Sequence, residues 1–258
     1  MGVVNVTPDS FSDGGVHLDP DTAIRAGLAM AEAGADIIDV GGESTRPGAQ
    51  PTSVAEEQAR VLPVIRGLAA AGLRVSIDTR HAVTMAAALD AGAAIVNDVT
   101  ALSHDSEAAA LVAARGCPVV LMHMRGDFAT MYERAVYADV ALEVRDELAA
   151  RIAVCEHGGI PRANIAIDPG IGFAKTAEHS IAMLCGLDAL RDLSCPILVG
   201  VSRKSFIGAL VGEPDAARRL PGSLAAALFA LARGASILRV HDVAETVQAL
   251  RMWQLLTA

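Results

Sequence analysis

Residues 74–98 read RVSIDTRHAVTMAAALDAGAAIVND. Two short apolar runs, 74–78 and 94–98, flank an Ala-rich segment that ends at Gly92. Short, nearly continuous apolar runs are typical of strands buried on both faces of a parallel sheet. The segment between them has the composition of a helix, and a glycine after a helix supplies the left-handed terminal position. The stretch therefore predicts a strand, a helix and the next strand.

The same unit repeats along the chain. Apolar runs of this kind occupy residues 3–6, 36–40, 74–78, 94–98, 118–123, 165–169, 196–201 and 237–242. Asp19 has the character of an N-cap for the first intervening helix, and Ala-rich segments end at Gly116 and Gly234. Eight strand–helix units in about 250 residues predict an α/β protein with a (β/α)8 TIM-barrel fold, as one domain over 1–258. A doubly wound sheet is the alternative, but no G-x-G-x-x-G follows the first strand.

Composition excludes several classes of protein. Hydrophobic residues make up 52% of the 258 and charged residues 20%, so disorder is not the dominant state. A net charge of −9 and an aromatic content of 3% disfavour nucleic-acid binding. The four cysteines form no C-x-x-C pair, which predicts buried free thiols rather than structural zinc. With no apolar run of about 18 residues and no signal peptide, we expect a cytoplasmic protein without membrane contact.

Polar residues stand at the end of nearly every apolar run, where barrels carry their chemistry. They are Asn5, Asp39, Asp78, Asn97 with Asp98, His123, Asp168, Ser202, and Arg239 with His241 and Asp242. Any one of them can be a side chain that anchors a loop, and this is our prediction for Asp39 and Asp98. The whole set predicts a ligand site, because buried polar groups are costly without partners.

The set divides into a basic and an acidic cluster. Residues 202–205 (SRKS), Arg239 and His241 predict an anion site at the loops after strands seven and eight, with a helix starting near Ser205. The acidic cluster comprises Asp78, Asn97 and Asp168. Carboxylate and amide groups suit the edge of a planar nitrogen heterocycle, or a divalent metal bound through oxygen, and the spacing does not choose between them.

Two further features stand out. The segments 5–15 and 41–48 are loops by composition, and each carries one residue out of character, Phe11 and Arg46, as a substrate-gating loop would. Among the 21 basic residues only Lys175 and Lys204 are lysines. A lysine that persists in such a chain either reflects chance or does something that arginine cannot.

Seven motifs in order resemble the dihydropteroate synthase family. They are NVTPDSFSDGG (5–15), GGESTRPG (41–48), SIDT (76–79), VNDV (96–99), DPGIGFAK (168–175), GVSRKSFIG (200–208) and RVHDV (239–243). The resemblance spans essentially the whole chain. It implies a barrel enzyme of folate biosynthesis that joins 6-hydroxymethyl-7,8-dihydropterin diphosphate to 4-aminobenzoate and releases pyrophosphate. It also implies Mg²⁺, inhibition by sulfonamides, and a homodimer formed through the later helices.

The resemblance assigns roles to individual residues. For the pterin edge it implies Asp78, Asn97 and Asp168, with Lys204 reaching the carbonyl and ring nitrogen. For the diphosphate it implies Asn5, which also binds Mg²⁺, together with Arg239, His241 and Arg46. Thr45, Arg46 and Pro47 would enclose the aminobenzoate, Ser205 would meet its carboxylate, and Phe173 and the Lys204 stem would form apolar walls. Asp9 would support the developing cation or the closed loop.

The sequence departs from the family most clearly at its start and leaves rival functions open. Family members carry a short hairpin before the first strand, whereas this sequence starts almost at that strand, so we expect either a truncated start or a barrel floor that is closed in another way. A non-catalytic pterin-binding paralogue is disfavoured because both loops and residues 202–205 are intact. A pterin-dependent methyltransferase domain has no diphosphate to bind, and a purely structural barrel does not need polar groups at so many strand ends.

Overall fold

The structure is a computed structural model, and it describes residues 1–7, 19–44 and 52–257. Four residues with predicted roles, Asp9, Thr45, Arg46 and Pro47, lie outside the described residues, as does Phe11. The predictions made for them therefore stay predictions.

Within the described residues, strands and helices alternate as predicted. The strands are β1 (Gly2–Asn5), β2 (Ile38–Gly41), β3 (Val75–Asp78), β4 (Ile95–Asp98), β5 (Val119–Met122), β6 (Ile165–Asp168), β7 (Leu198–Val199) and β8 (Ile237–Leu238). The helices are α1 (Pro20–Glu32), α2 (Val54–Ala70), α3 (Ala82–Asp90), α4 (Ala108–Arg115), α5 (Val140–His157), α6 (Ala177–Cys185), α7 (Ser205–Val211), α8 (Leu220–Ala232) and α9 (Val243–Thr257). All eight predicted strands are present, although β7 and β8 are shorter than their apolar runs.

The strands close into a barrel. β1 to β6 form a parallel sheet in sequence order, and β7 pairs with β8. Single parallel bridges, Ile167 to Ile197 and Gly2 to Val240, join the pair to both edges of the sheet. Sequential order with closure is the (β/α)8 topology, and it excludes the doubly wound sheet, whose strand order reverses at a switch point.

Local sequence signals fix where the helices begin and end. The Asp19 carboxylate accepts hydrogen bonds from the backbone N–H groups of Asp21 and Thr22 at 3.1 Å each, which confirms it as the N-cap of α1. Gly116 ends α4 in the left-handed conformation with φ of +62°. These boundaries return each chain segment to the next strand, so that the carboxyl ends of all strands lie at one end of the barrel.

The cysteines only partly match their prediction. All four are free, and Cys117, Cys155 and Cys195 are buried, but Cys185 at the end of α6 is exposed. The prediction of burial is wrong for Cys185, because this residue lines an open apolar groove formed by α6, α7 and α8. Within the described ranges, no helix combines the length and apolar character needed to cross a membrane.

Candidate active site

The carboxyl ends of the first four strands are in register. Asn5 lies opposite Gly41, Gly41 opposite Asp78, and Asp78 opposite Asn97. Neighbours in register on parallel strands point to the same side of the sheet, so the structure places Asn5, Asp78 and Asn97 in one layer. A Cβ at Gly41 would lie 3.4 Å from the Asp78 Cβ, so the glycine leaves space beside that carboxylate.

Arg239, which follows β8, connects Asp78 of this layer to Asp39, which lies two residues before Gly41 on β2. Its Nε donates to Asp39 Oδ2 at 2.6 Å and its Nη2 donates to Asp78 Oδ2 at 2.7 Å. Asn97 Nδ2 also donates to Asp39 Oδ2, at 3.0 Å. Arg239 therefore lies among the acidic residues, and the basic and acidic clusters predicted as separate meet at its guanidinium.

Asp39 does not anchor a loop, so that prediction is wrong. Its side chain is fully buried and orients Arg239 and Asn97. Asp39 stands two residues before the end of its strand, and residues two apart face the same side, so this alternation is the signal that was missed. Asp98 behaves as predicted: its carboxylate accepts from the backbone N–H groups of Thr100 at 2.7 Å and Leu102 at 3.0 Å.

Burial raises the pKa of both carboxylates of the acidic cluster, Asp78 and Asp168. It raises the pKa of Asp78 to about 7; the Arg239 guanidinium opposes this rise and the nearby Asp39 carboxylate adds to it. Burial also raises the pKa of Asp168, against the attraction of the Lys204 ammonium and a hydrogen bond from the Gly170 N–H. Asp78 therefore changes protonation near neutrality, and Asp168 retains a proton more readily than an exposed aspartate does.

The loop after β6 brings Asp168, Phe173 and Lys204 together. Gly170 N donates to Asp168 Oδ1 at 2.7 Å, and a Cβ on Gly170 would lie 2.0 Å from the carbonyl oxygen of His123, so only glycine fits there. Lys204 Nζ donates to the Ile171 carbonyl and lies 4.6 Å from the centre of the Phe173 ring. Burial lowers the pKa of Lys204 to about 8, although Asp168 attracts its charge.

Only part of the basic cluster is available to bind an anion, because Arg203 is paired with a carboxylate of the protein. α7 begins at Ser205, as predicted, and Ser205 is exposed. His241 Nδ1 lies 3.0 Å from Ser202 Oγ, which links the loops after β7 and β8. Arg203 differs from the prediction for residues 202–205, because its Nε donates to Asp242 Oδ2 at 3.0 Å and its Nη2 to Asp242 Oδ1. Its charge is compensated within the protein, and Lys204 is the cation of this run that lies beside Asp168.

The described residues contain no group of three or more His, Cys, Asp or Glu side chains arranged to hold a metal ion. The carboxylates of Asp39 and Asp78 are instead paired with Arg239. The pairing of Asp78 with Arg239 disfavours the alternative interpretation of the acidic cluster as a metal site. Asn5, half-buried at the end of β1, offers one neutral oxygen donor. Such a donor fits Mg²⁺ that arrives with substrate phosphates, since Mg²⁺ is commonly held by few protein ligands plus phosphate oxygens.

Comparison with known proteins defines the class first. Residues 1–241 match the family described as pterin binding enzyme, and this range covers every strand of the barrel and the acidic cluster. The acidic cluster at this mouth is the part of the chain whose chemistry suits a pterin edge.

Individual relatives narrow the class. The dihydropteroate synthase of Neisseria meningitidis serogroup C is 47% identical over 99% of this chain and 92% of that protein. The solved structure of Xanthomonas albilineans dihydropteroate synthase with 4-aminobenzoic acid has a TM-score of 0.94 at 48% identity, covering 100% of this chain and 92% of that one. A second, in complex with 7,8-dihydropteroate, has a TM-score of 0.91 at 45% identity, with the same coverage. The chain therefore belongs to the dihydropteroate synthase family.

One relative is longer. A probable bifunctional folylpolyglutamate synthase/dihydropteroate synthase of Haloferax volcanii is 48% identical over 98% of this chain, which spans 30% of that protein. The shared region is thus the barrel alone.

Proposed function

We propose that this protein is a dihydropteroate synthase, which joins 6-hydroxymethyl-7,8-dihydropterin diphosphate to 4-aminobenzoate. The observation that carries the proposal is the juxtaposition at one barrel mouth of the half-buried Asp78 and the buried Asp168 carboxylates with the Lys204 ammonium and the Phe173 ring. Its relatives bear this name over nearly their whole length. The product belongs to folate biosynthesis, and sulfonamides, which mimic the aminobenzoate, should inhibit the reaction.

The pterin binds through the acidic cluster. An ionised carboxylate at Asp78 or Asp168 accepts parallel N–H bonds from an aminopyrimidine edge. The amide of Asn97 is oriented by its donation to Asp39, which leaves the amide oxygen as an acceptor. Lys204 donates to the carbonyl and ring nitrogen of the pterin, exchanging its bond to the Ile171 carbonyl for one to the substrate.

The diphosphate binds on the side of the mouth formed by β1 and β8. Arg239 uses its Nε and Nη2 on carboxylates and retains further N–H groups for an anion. His241 and Asn5 complete the described part of this subsite, and Arg46 is the predicted further cation. Mg²⁺ bound with the diphosphate and Asn5 would neutralise charge on the leaving group.

The chemical step needs charge stabilisation more than a strong base. The bond between the pterin methylene carbon and the diphosphate oxygen breaks, and pyrophosphate leaves with the electron pair. The neutral aniline nitrogen of 4-aminobenzoate forms the new C–N bond and then loses its proton. Arg239 and His241 stabilise the departing charge, while the predicted role of Asp9 is to support the cation at the methylene.

The aminobenzoate subsite lies beside the loop after β6. Phe173 and the Lys204 stem provide apolar walls, and exposed Ser205 meets the carboxylate. The Lys204 Nζ lies 4.6 Å from the centre of the Phe173 ring. Thr45, Arg46 and Pro47 are predicted to enclose this substrate.

We also infer a homodimer formed through α6, α7 and α8. These helices present an apolar groove whose exposed members include Ile181, Leu210, Val211 and Phe229. Contiguous apolar surface of this kind is typical of a protein–protein interface. A single domain over 1–258, acting in the cytoplasm on small-molecule substrates without nucleic acid or membrane, completes the proposal.

The proposal is tested by pyrophosphate release from the pterin diphosphate in Mg²⁺. We expect release that depends on 4-aminobenzoate and that a sulfonamide blocks. Absence of release together with tight pterin binding in calorimetry would favour the non-catalytic paralogue. Absence of both would contradict the proposed pterin site itself.

A further inference from the structure

Lys175, at the end of the loop after β6, is one of the most completely enclosed large side chains among the described residues. Only 2% of its surface is exposed, and its Nζ lies 3.2 Å from the Phe173 carbonyl oxygen and 3.0 Å from His123 Nδ1. Burying an ammonium group is costly, and the roles assigned above do not use it. Its surroundings therefore call for an explanation.

The loop that Lys175 supports has an unusual backbone. Gly170, Gly172 and Ala174 have φ values of +66°, +81° and +47°, and the last is disfavoured for a residue with a side chain. Such a backbone persists only where its surroundings hold it. The surroundings here are side chains that donate to consecutive carbonyl groups of the loop.

Each carbonyl from 171 to 174 has one donor. Lys204 donates to residue 171, Tyr132 to residue 172 at 3.5 Å, Lys175 to residue 173 at 3.2 Å, and Tyr137 to residue 174 at 3.0 Å. Lys175 holds the carbonyl of the residue whose ring contacts Lys204. Lys175 thus supports, from the buried side of the loop, the Phe173 residue whose ring is proposed to contact the aminobenzoate.

Lys175 is itself held by a chain of groups that reaches the surface. His123 Nε2 lies 3.0 Å from Glu147 Oε2, and the hydrogen bond from His123 keeps the pKa of Glu147 at about 2, so Glu147 is ionised. Lys175 donates to Nδ1 of His123 and Glu147 accepts from Nε2, so the contacts fit a neutral ring with its proton on Nε2. Burial, which lowers the pKa of His123, favours the same form. Burial lowers the pKa of Lys175 to about 7, and its amino group can donate to the Phe173 carbonyl and to His123 Nδ1 in either protonation state. The head group of lysine is more compact than the guanidinium group that the chain uses elsewhere.

We propose that Lys175 is a positioning residue for the aminobenzoate subsite, acting by holding the Phe173 carbonyl. His123 and Glu147 orient Lys175 for this role. The inference rests on the proposed function and deepens it, because it names a residue that acts on the second substrate and not on the pterin.

The test compares a ligand that contains the aminobenzoate group with a pterin ligand that lacks it. We would measure binding of 7,8-dihydropteroate and of 6-hydroxymethyl-7,8-dihydropterin by calorimetry, and the KM of each substrate, for Lys175→Met and the unaltered protein. We expect about tenfold weaker binding of dihydropteroate and a matching rise in KM for 4-aminobenzoate. The affinity and KM for the pterin ligand should stay within about twofold.

Equal losses for both ligands, or a loss confined to the pterin, would overturn the proposal, because Lys175 would then act on the whole barrel mouth or on Asp168. Binding by Lys175→Met that matches the unaltered protein would overturn it as well. Turnover by the unaltered protein is a separate result, so absence of pyrophosphate release would contradict the proposed function while the binding comparison still tests Lys175.

A second pair of variants covers the case in which Lys175→Met does not fold. Glu147→Gln removes the charge behind His123, and Glu143→Gln changes another carboxylate of α5 that contacts Arg125 at 2.8 Å but is not bonded to His123. We expect a severalfold loss for dihydropteroate in Glu147→Gln alone. Equal behaviour of the two variants would contradict the proposed support of Lys175.

Discussion

Arg239 Nη2 donates to Asp78 Oδ2 at 2.7 Å, across 161 positions of sequence. The contact connects the residue after the last strand to the end of the third. It ties the cation predicted for the diphosphate to a carboxylate predicted for the pterin. Because the two substrate parts would meet on this one ion pair in the proposed site, we expect pterin binding and pyrophosphate departure to be electrostatically coupled.

The first prediction concerns the pH dependence of pterin binding. The pKa of Asp78 is raised to about 7, so its carboxylate is protonated and a poorer acceptor below that pH. The pKa of Lys204 is lowered to about 8, so its charge is lost above that pH. We expect calorimetry with 6-hydroxymethyl-7,8-dihydropterin to give the highest affinity between about pH 7 and 8, falling up to about tenfold per unit on the acid side. Asp78→Asn should remove much of the acid limb, and an unchanged limb would contradict the assignment.

The second prediction separates the two roles at the basic cluster. Lys204→Ala should weaken pterin binding by about tenfold or more, the effect of one hydrogen bond from a charged donor, while pyrophosphate binding changes by about twofold. Arg203→Ala is the matched neighbour, and its charge is already compensated by Asp242. Equal losses of pterin and pyrophosphate affinity in Lys204→Ala, measured by calorimetry, would rule out the proposed pterin contact.

The third prediction concerns the glycine behind Asp168. Gly170→Ala combines a left-handed φ of +66° with a Cβ placed 2.0 Å from the His123 carbonyl oxygen. Gly116→Ala has a similar φ of +62° and open space around the Cβ. We expect urea unfolding to show a loss of about 1 kcal/mol for Gly116→Ala and at least about 3 kcal/mol for Gly170→Ala. Similar losses of stability in the two variants would show that the contact between the new Cβ and the His123 carbonyl oxygen is relieved by a small backbone shift.

The fourth prediction tests the homodimer. Val211 on α7 is 69% exposed in the apolar groove, and Val136 is 74% exposed outside it. Val211→Glu should shift sedimentation of the protein towards a monomer, because a charge buried in an apolar interface is costly. Val136→Glu should sediment like the unaltered protein. Monomeric behaviour of the unaltered protein would contradict the inferred dimer.

The sequence predicted the strands well because their signal is local. Each short apolar run lies inside the barrel wall and is buried on both faces, so the pattern can be seen without knowing the neighbours. Asp98 was also predictable, since an aspartate commonly bonds to backbone N–H groups close by in sequence. The mouth residues Asp78, Asn97 and Asp168 followed from their position at strand ends.

The partners of other residues were beyond local inference. Asp39 was predicted to anchor a loop, yet its partners Asn97 and Arg239 lie 58 and 200 positions away. Arg203 belongs to the run 202–205 that predicts an anion site, but its charge is compensated by an ion pair with Asp242, 39 positions away. In both cases the partner became visible only once the strands were arranged around the barrel.

The sequence by itself determined the barrel, the end at which its chemistry lies and, through its motifs, the family. Periodicity, caps and strand-end polar residues are local properties, and they survive without coordinates. Only the tertiary structure decided which charges are paired, as between Arg239 and Asp78, and which lysine is enclosed, as Lys175 is at 2% exposure. Pairing and burial depend on distances between strands remote in sequence, and these distances set the pKa values and donor directions on which the proposed chemistry depends.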